Sequence, residues 1–263
     1  MSGLNDRSRP EQVDGHERSQ NSAVARERRF LKLRRRGPVR QPSQVLALGS
    51  AAWILGALLG ALVVLTVALA AGWPPVEGLD HNVAPWAFHE TYGHGVSTRI
   101  WTAVAAAGQP VVLRVLLILT GIFQFWRGRR LLAGWLIVVP LAENLIAPAA
   151  KYLLNRPRPH WLHPIAVQHS SSYPSGHAAG AGMFATAVLL LAFTTIRSTT
   201  AAAVIAACGL VVALTISADR IFLGVHYLSD VIGGGLLGAA ITIAGWIAVL
   251  ILQRRRKTKD ATA

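Results

Sequence analysis

From residue 45 onward the chain alternates long apolar runs with short polar or basic breaks. Residues 45–76 hold no charged side chain. About 20 apolar residues suffice to cross a bilayer core, so this run predicts a first membrane span that doubles as the insertion signal. Further runs predict spans over 108–126, 131–150, 176–196, 199–218 and 231–253, six in all. Between the first two lies a mixed stretch reaching Arg99, with Trp86, Phe88, His89 and His94. It reads as a loop with a short interfacial helix whose aromatics sit at headgroup depth. Residues 152–173 are too rich in Pro, His and Ser to span anything, and read as a loop. The expected fold class is all-α: a six-transmembrane-helix bundle.

Composition supports that pattern, with 52% hydrophobic and 14% charged residues, the balance of a membrane protein. Net charge is +14, but the basic residues stand in short runs beside apolar segments, not along an aromatic-studded groove, which argues against nucleic acid. The single cysteine, Cys208, excludes an internal disulfide. Residues 1–44 form a basic tail expected to be disordered and cytoplasmic, because it holds too little apolar surface to offset chain entropy. Its cluster around Arg34, Arg35 and Arg36 could attract anionic headgroups at about 1 kcal/mol per charge; the plainer reading is an anchor that keeps this end inside. The six-span domain covers 45–253, and 254–263 is read as a second basic cytoplasmic tail.

The Lys/Arg bias of short loops sets orientation. With the amino terminus inside, Arg127, Arg129, Arg130, Arg197 and the run from Arg254 to Lys259 share the cytoplasmic side. Arg99, Lys151, Arg156, Arg158 and Arg220 then fall outside, and three of these belong to the clusters described next. Within the spans, Glu143 and Asn144 are expensive in hydrocarbon and should face the bundle interior, with Glu143 pairing Arg114.

Three polar clusters stand at the ends of apolar runs over 151–230: Lys151 with Arg158 and Pro159, then Tyr173-Pro174-Ser175-Gly176-His177, then Asp219-Arg220 with His226 and Asp230. Hydrolysis of a phosphate ester or anhydride needs positioning and stabilisation of charge on the phosphoryl oxygens. Lys151 offers a point charge, and Arg158 and Arg220 offer forked donors matched to phosphate. Ser175, with the amides of Ser175 and Gly176 at a helix start, adds donors where the helix dipole favours an anion. His226 and Asp230 are four apart, so on one helix face the carboxylate could fix the imidazole tautomer.

This spacing resembles the type 2 phosphatidic acid phosphatase (PAP2) superfamily, whose pattern is Lys-x6-Arg-Pro, Pro-Ser-Gly-His and Ser-Arg-x5-His-x3-Asp. Lys151, Arg158, Pro159, Pro174, Ser175, Gly176, His177, Arg220, His226 and Asp230 match, while Asp219 stands where the pattern has Ser. The resemblance implies a membrane lipid phosphatase with a PAP2-like site at the extracytoplasmic ends of helices three to six. It implies His226 as nucleophile forming a phosphohistidine, Asp230 as its orienting partner, and His177 as general acid and then base. No metal or other cofactor is called for, because side chains already supply the positive charge. The substrate is a lipid phosphate or diphosphate taken from the bilayer. A polyprenyl diphosphate such as undecaprenyl diphosphate is favoured because the site faces the envelope, with phosphatidylglycerol phosphate and phosphatidic acid as alternatives.

Blander readings accompany these. A non-catalytic lipid-phosphate binder should lack the histidines or Asp230, and a vanadium haloperoxidase should be soluble. A metal site built from His89, His94, His160, His163 and His169 lacks clustered carboxylates or thiols. Asn155, Arg156 and Pro157 are read as shaping the loop, with Arg156 also within reach of substrate.

Overall fold

The structure is a computed structural model that describes residues 40–262, with side chains to 259. The expected disorder of residues 1–44 therefore falls mostly outside the described residues. Its last part is ordered as α1 (Pro42–Val45), a single turn with Pro42 at its start. The other helices are α2 (Leu48–Ala70), α3 (Pro74–His89), α4 (Gly95–Ala107), α5 (Pro110–Trp126), α6 (Arg130–Ala150), α7 (Gly176–Thr195), α8 (Thr199–Phe222) and α9 (Leu228–Thr262). No strand occurs among the described residues. Five helices are long and apolar enough to cross a membrane, and α4 with α5 makes a sixth candidate bent by 41°.

Local chemistry explains where these boundaries depart from the sequence reading. The first run stops being α2 at Ala70, because Gly72 takes a positive φ of 62° and Pro74 opens α3. The interfacial stretch is two helices and not a loop with one. The expected second span is α5, intact from Pro110 in its first turn, and α4 precedes it across a break at Gly108–Gln109. α8 runs four residues past its expected end, so Asp219 and Arg220 lie in its last turn. α9 starts at Leu228 and continues unbroken to Thr262, through most of the expected 254–263 tail, since that run holds good helix formers and no Gly or Pro.

The main core joins α2, α6, α7 and α9 around Leu136, Met183, Leu190, Trp246 and Leu250. α7 and α9 approach through glycine: a Cβ on Gly234 would run into the Ser175 carbonyl, and one on Gly238 into the Ala179 carbonyl. Backbone cannot yield as a side chain can, so these positions set the helix separation. Glu143 is fully buried, and its Oε2 accepts from Arg114 Nε at 2.7 Å, the expected pair. Asn144 is exposed, contrary to expectation, because one residue along a helix turns a side chain by about 100° away from the interior. Outward surfaces are apolar, with Trp53 84% and Val64 66% exposed on α2, as lipid contact requires.

Candidate active site

Four helix ends, joined in pairs by the α6–α7 loop and the α8–α9 turn, meet at one end of the bundle. α6 ends on Lys151, and Asn155 takes a positive φ of 45° that turns the chain into the loop. Asn tolerates this conformation through its short polar side chain. α7 begins at Ser175, whose Oγ caps Ala178 N–H at 3.5 Å. α8 ends in a turn in which Gly224, with φ of 68°, lets the Val225 and His226 amides donate back to the Arg220 carbonyl at 3.0 and 3.2 Å. A Cβ on Gly224 would strike Trp161 and Phe88. Asp230 sits in the first turn of α9, where its Oδ2 accepts the Tyr227 N–H at 2.9 Å.

The structure brings Lys151, Arg158, His226 and Asp230 into one electrostatic neighbourhood, with Arg220 acting on Arg158. Arg158 Nη1 donates to His226 Nε2 at 3.0 Å and to the Val225 carbonyl at 2.7 Å. A guanidinium cannot accept a hydrogen bond, so Nε2 carries the lone pair and the neutral ring holds its proton on Nδ1. Nδ1 lies 3.5 Å from Asp230 Oδ2. Ser172 bridges the gap, with its Oγ 3.3 Å from Nδ1 and donating to Oδ2 at 2.5 Å. Burial drives His226 down to about 4, reinforced by Arg158 and Lys151 and opposed by Asp230, so the ring is neutral near pH 7.

Several expected roles change in detail. His226 lies in the turn two residues before α9, not on a shared helix face with Asp230, because the helix starts only at Leu228. The Ser175 amide is not free for an anion: it donates to the Asp230 carbonyl at 2.9 Å. The Gly176 and His177 amides, as the first two of α7, have no acceptor within the helix. Arg158 also holds the Ser170 and Ser171 carbonyls, and Lys151 Nζ donates to Ser171 O at 2.6 Å and Pro174 O at 3.1 Å. Two buried side-chain nitrogens, Arg220 Nη2 and His177 Nε2, have no hydrogen-bond partner among the described residues. Asp219, the departure from the family pattern, pairs with Arg220 Nε and leaves Nη2 open.

Three residues escaped the sequence reading or were underrated. Arg156 donates from Nη1 to Asp230 Oδ1 and from Nη2 to Asp80 Oδ2, both at 2.7 Å. Asp80 on α3 and Ser172 in the loop carry no spacing signal; the only hint for Asp80 is that Ala84, Ala87 and Phe88 follow at helical intervals and share its buried face. His89, His94, His160, His163 and His169 are exposed, and no cluster of three metal-ligating side chains occurs among the described residues.

Fold and rim together define an all-helical, multi-pass membrane protein with a cation-lined pair of histidines at one end of its bundle. Residues 131–256, which contain all three clusters, match the family model described as the PAP2 superfamily. The fold is shared with the first transmembrane PAP2 type phosphatidylglycerolphosphate phosphatase from Bacillus subtilis, at 20% identity and a TM-score of 0.61 over 77% of this chain and 97% of that one. Aquifex aeolicus LpxE aligns at 25% identity and a TM-score of 0.49 over 64% and 94%. No curated protein matches the chain.

Proposed function

We propose that the protein hydrolyses a lipid phosphate or diphosphate through a phosphohistidine on His226. The observation that carries this reading is the polarity of the imidazole: Arg158 faces Nε2 at 3.0 Å while Ser172 and Asp230 back Nδ1. A phosphoryl group arriving at Nε2 would replace the contact with Arg158 and lie beside Lys151 and the open Nη2 of Arg220. The Nε2 lone pair forms the P–N bond as the bond to the lipid oxygen breaks, and His177 protonates that oxygen. Water then attacks phosphorus, His177 takes its proton, the P–N bond breaks and phosphate leaves.

Both termini are assigned to the cytoplasm and the rim to the opposite side, because most of the Lys and Arg residues there belong to the motifs. That orientation favours a polyprenyl diphosphate, with phosphatidylglycerol phosphate and phosphatidic acid as the alternatives. Phosphate release by the purified protein from a panel of these lipids tests the reading. His226→Ala should abolish release while the protein stays folded, and turnover should survive EDTA. Near-normal release by His226→Ala would exclude the nucleophile, and a loss restored only by a divalent ion would exclude the metal-free mechanism.

A further inference from the structure

We propose that Asp80, on α3 and outside the segment that matches the family, is a positioning residue for His226, acting through Arg156 and Asp230. The inference rests on His226 being the nucleophile. Asp80 is 1% exposed and uses both carboxylate oxygens. Oδ2 accepts from Arg156 Nη2 at 2.7 Å and from Ser229 Oγ at 2.5 Å, and Oδ1 accepts the Ser229 N–H at 2.9 Å. Arg156 sits between two carboxylates, since its Nη1 donates to Asp230 Oδ1 and to Ser229 Oγ, each at 2.7 Å. Its guanidinium also stacks 4.4 Å over the Tyr227 ring.

The consequence is geometric. A planar fork held at both arms has a fixed plane, so Asp230 Oδ1 is fixed and Oδ2 is turned toward Ser172 and His226 Nδ1. Freed from Asp80, the fork keeps only the arm on Asp230 and Ser229, and rotation about that arm swings Oδ2 off the imidazole. A merely structural role for Asp80 explains less. Ala84, Ala87 and Phe88 already seat α3 by apolar contact, and a buried carboxylate is costly unless its charge is used. Asp80 therefore couples the helix that follows the first span in sequence to the orientation of the attacking ring, a form of control in which outer partners set the basicity and direction of an imidazole.

The test uses the full chain in detergent micelles with farnesyl diphosphate as the substrate probe. Asp80→Asn should lower kcat on the order of 10- to 100-fold, the scale seen for outer partners of metal-ligating histidines and taken over here for an imidazole held in the same way. KM should stay within about twofold, because no direct contact with substrate is removed. Asp80→Glu should recover part of the loss, and Asn82→Ala, on the exposed side of α3, should match the wild type. A readout independent of turnover is the nitrogen-15 spectrum of labelled histidine, with the His226 signal identified by its loss in His226→Gln. The wild type should show the Nδ1–H form, and Asp80→Asn a mixture of tautomers. Should Asp80→Asn not fold, Asp80→Glu decides, by an intermediate kcat and a partly shifted tautomer. A kcat or tautomer for folded Asp80 variants equal to wild type overturns the proposal, as does a loss carried by KM. If the wild type releases no phosphate from any lipid, the phosphatase reading fails separately, and the His226 tautomer alone judges Asp80.

Discussion

Raising the pH through 8 should switch the site off through a single side chain. Lys151 caps α6 under the loop, and burial pushes its ammonium from 10.5 down to about 8, with Arg158 adding to the shift and Asp230 opposing it. The group is charged below that pH and neutral above it. If Lys151 holds the phosphoryl oxygens as proposed, kcat/KM should fall about tenfold per pH unit on the alkaline side. At the other end, His226 keeps its lone pair until pH falls to about 4, so the free enzyme's acid limb lies well below that of an ordinary histidine. The decisive perturbation is Lys151→Arg, in which a guanidinium stays charged throughout. Its absolute rate should drop, since a planar fork does not copy the contacts of Nζ with Ser171 and Pro174, but the limb near pH 8 should vanish. Profiles of phosphate release are measured for both proteins, and their ratio cancels the substrate's own ionisation. A limb unchanged in Lys151→Arg, or a wild-type profile flat through the alkaline range, would refute the reasoning.

Other predictions concern the frame that holds the rim. Arg114→Met strands the fully buried Glu143 and should lower stability toward denaturant by about 2–4 kcal/mol, while Arg114→Met/Glu143→Met should recover most of that; an equal loss in both would deny the coupling. Gly238→Ala should cost about 1–3 kcal/mol and disturb turnover, because the added methyl meets α7 backbone and α7 and α9 carry His177 and Asp230. Gly134→Ala, which meets nothing within 4 Å, should instead gain up to about 1 kcal/mol of helix stability in a melting experiment. Orthovanadate, as a phosphate mimic, should inhibit release competitively, and insensitivity would argue against an anion pocket beside His226.

Much of this protein could be read from one dimension because the bilayer imposes a long period: a run without charge must span, and a break rich in Arg, Pro or His cannot. That logic placed most span ends within a few residues, although α2 stops six short of Val76 and α9 runs nine past Gln253, and it set Lys151, His177, Arg220 and Asp230 at helix ends with Arg158 and His226 in the connections. It also anticipated the Arg114–Glu143 pair, since an isolated charge at that depth has nowhere else to go. Tertiary structure decided what depends on direction. Whether Ser175 N–H faces an anion or the Asp230 carbonyl, and that Asn144 turns outward while Glu143 turns in, follow from rotation about helix axes that no hydropathy window resolves. The Asp80–Arg156–Asp230 chain joins residues 76 and 74 positions apart, and a contact across that separation exists only once α3 has folded back against the rim.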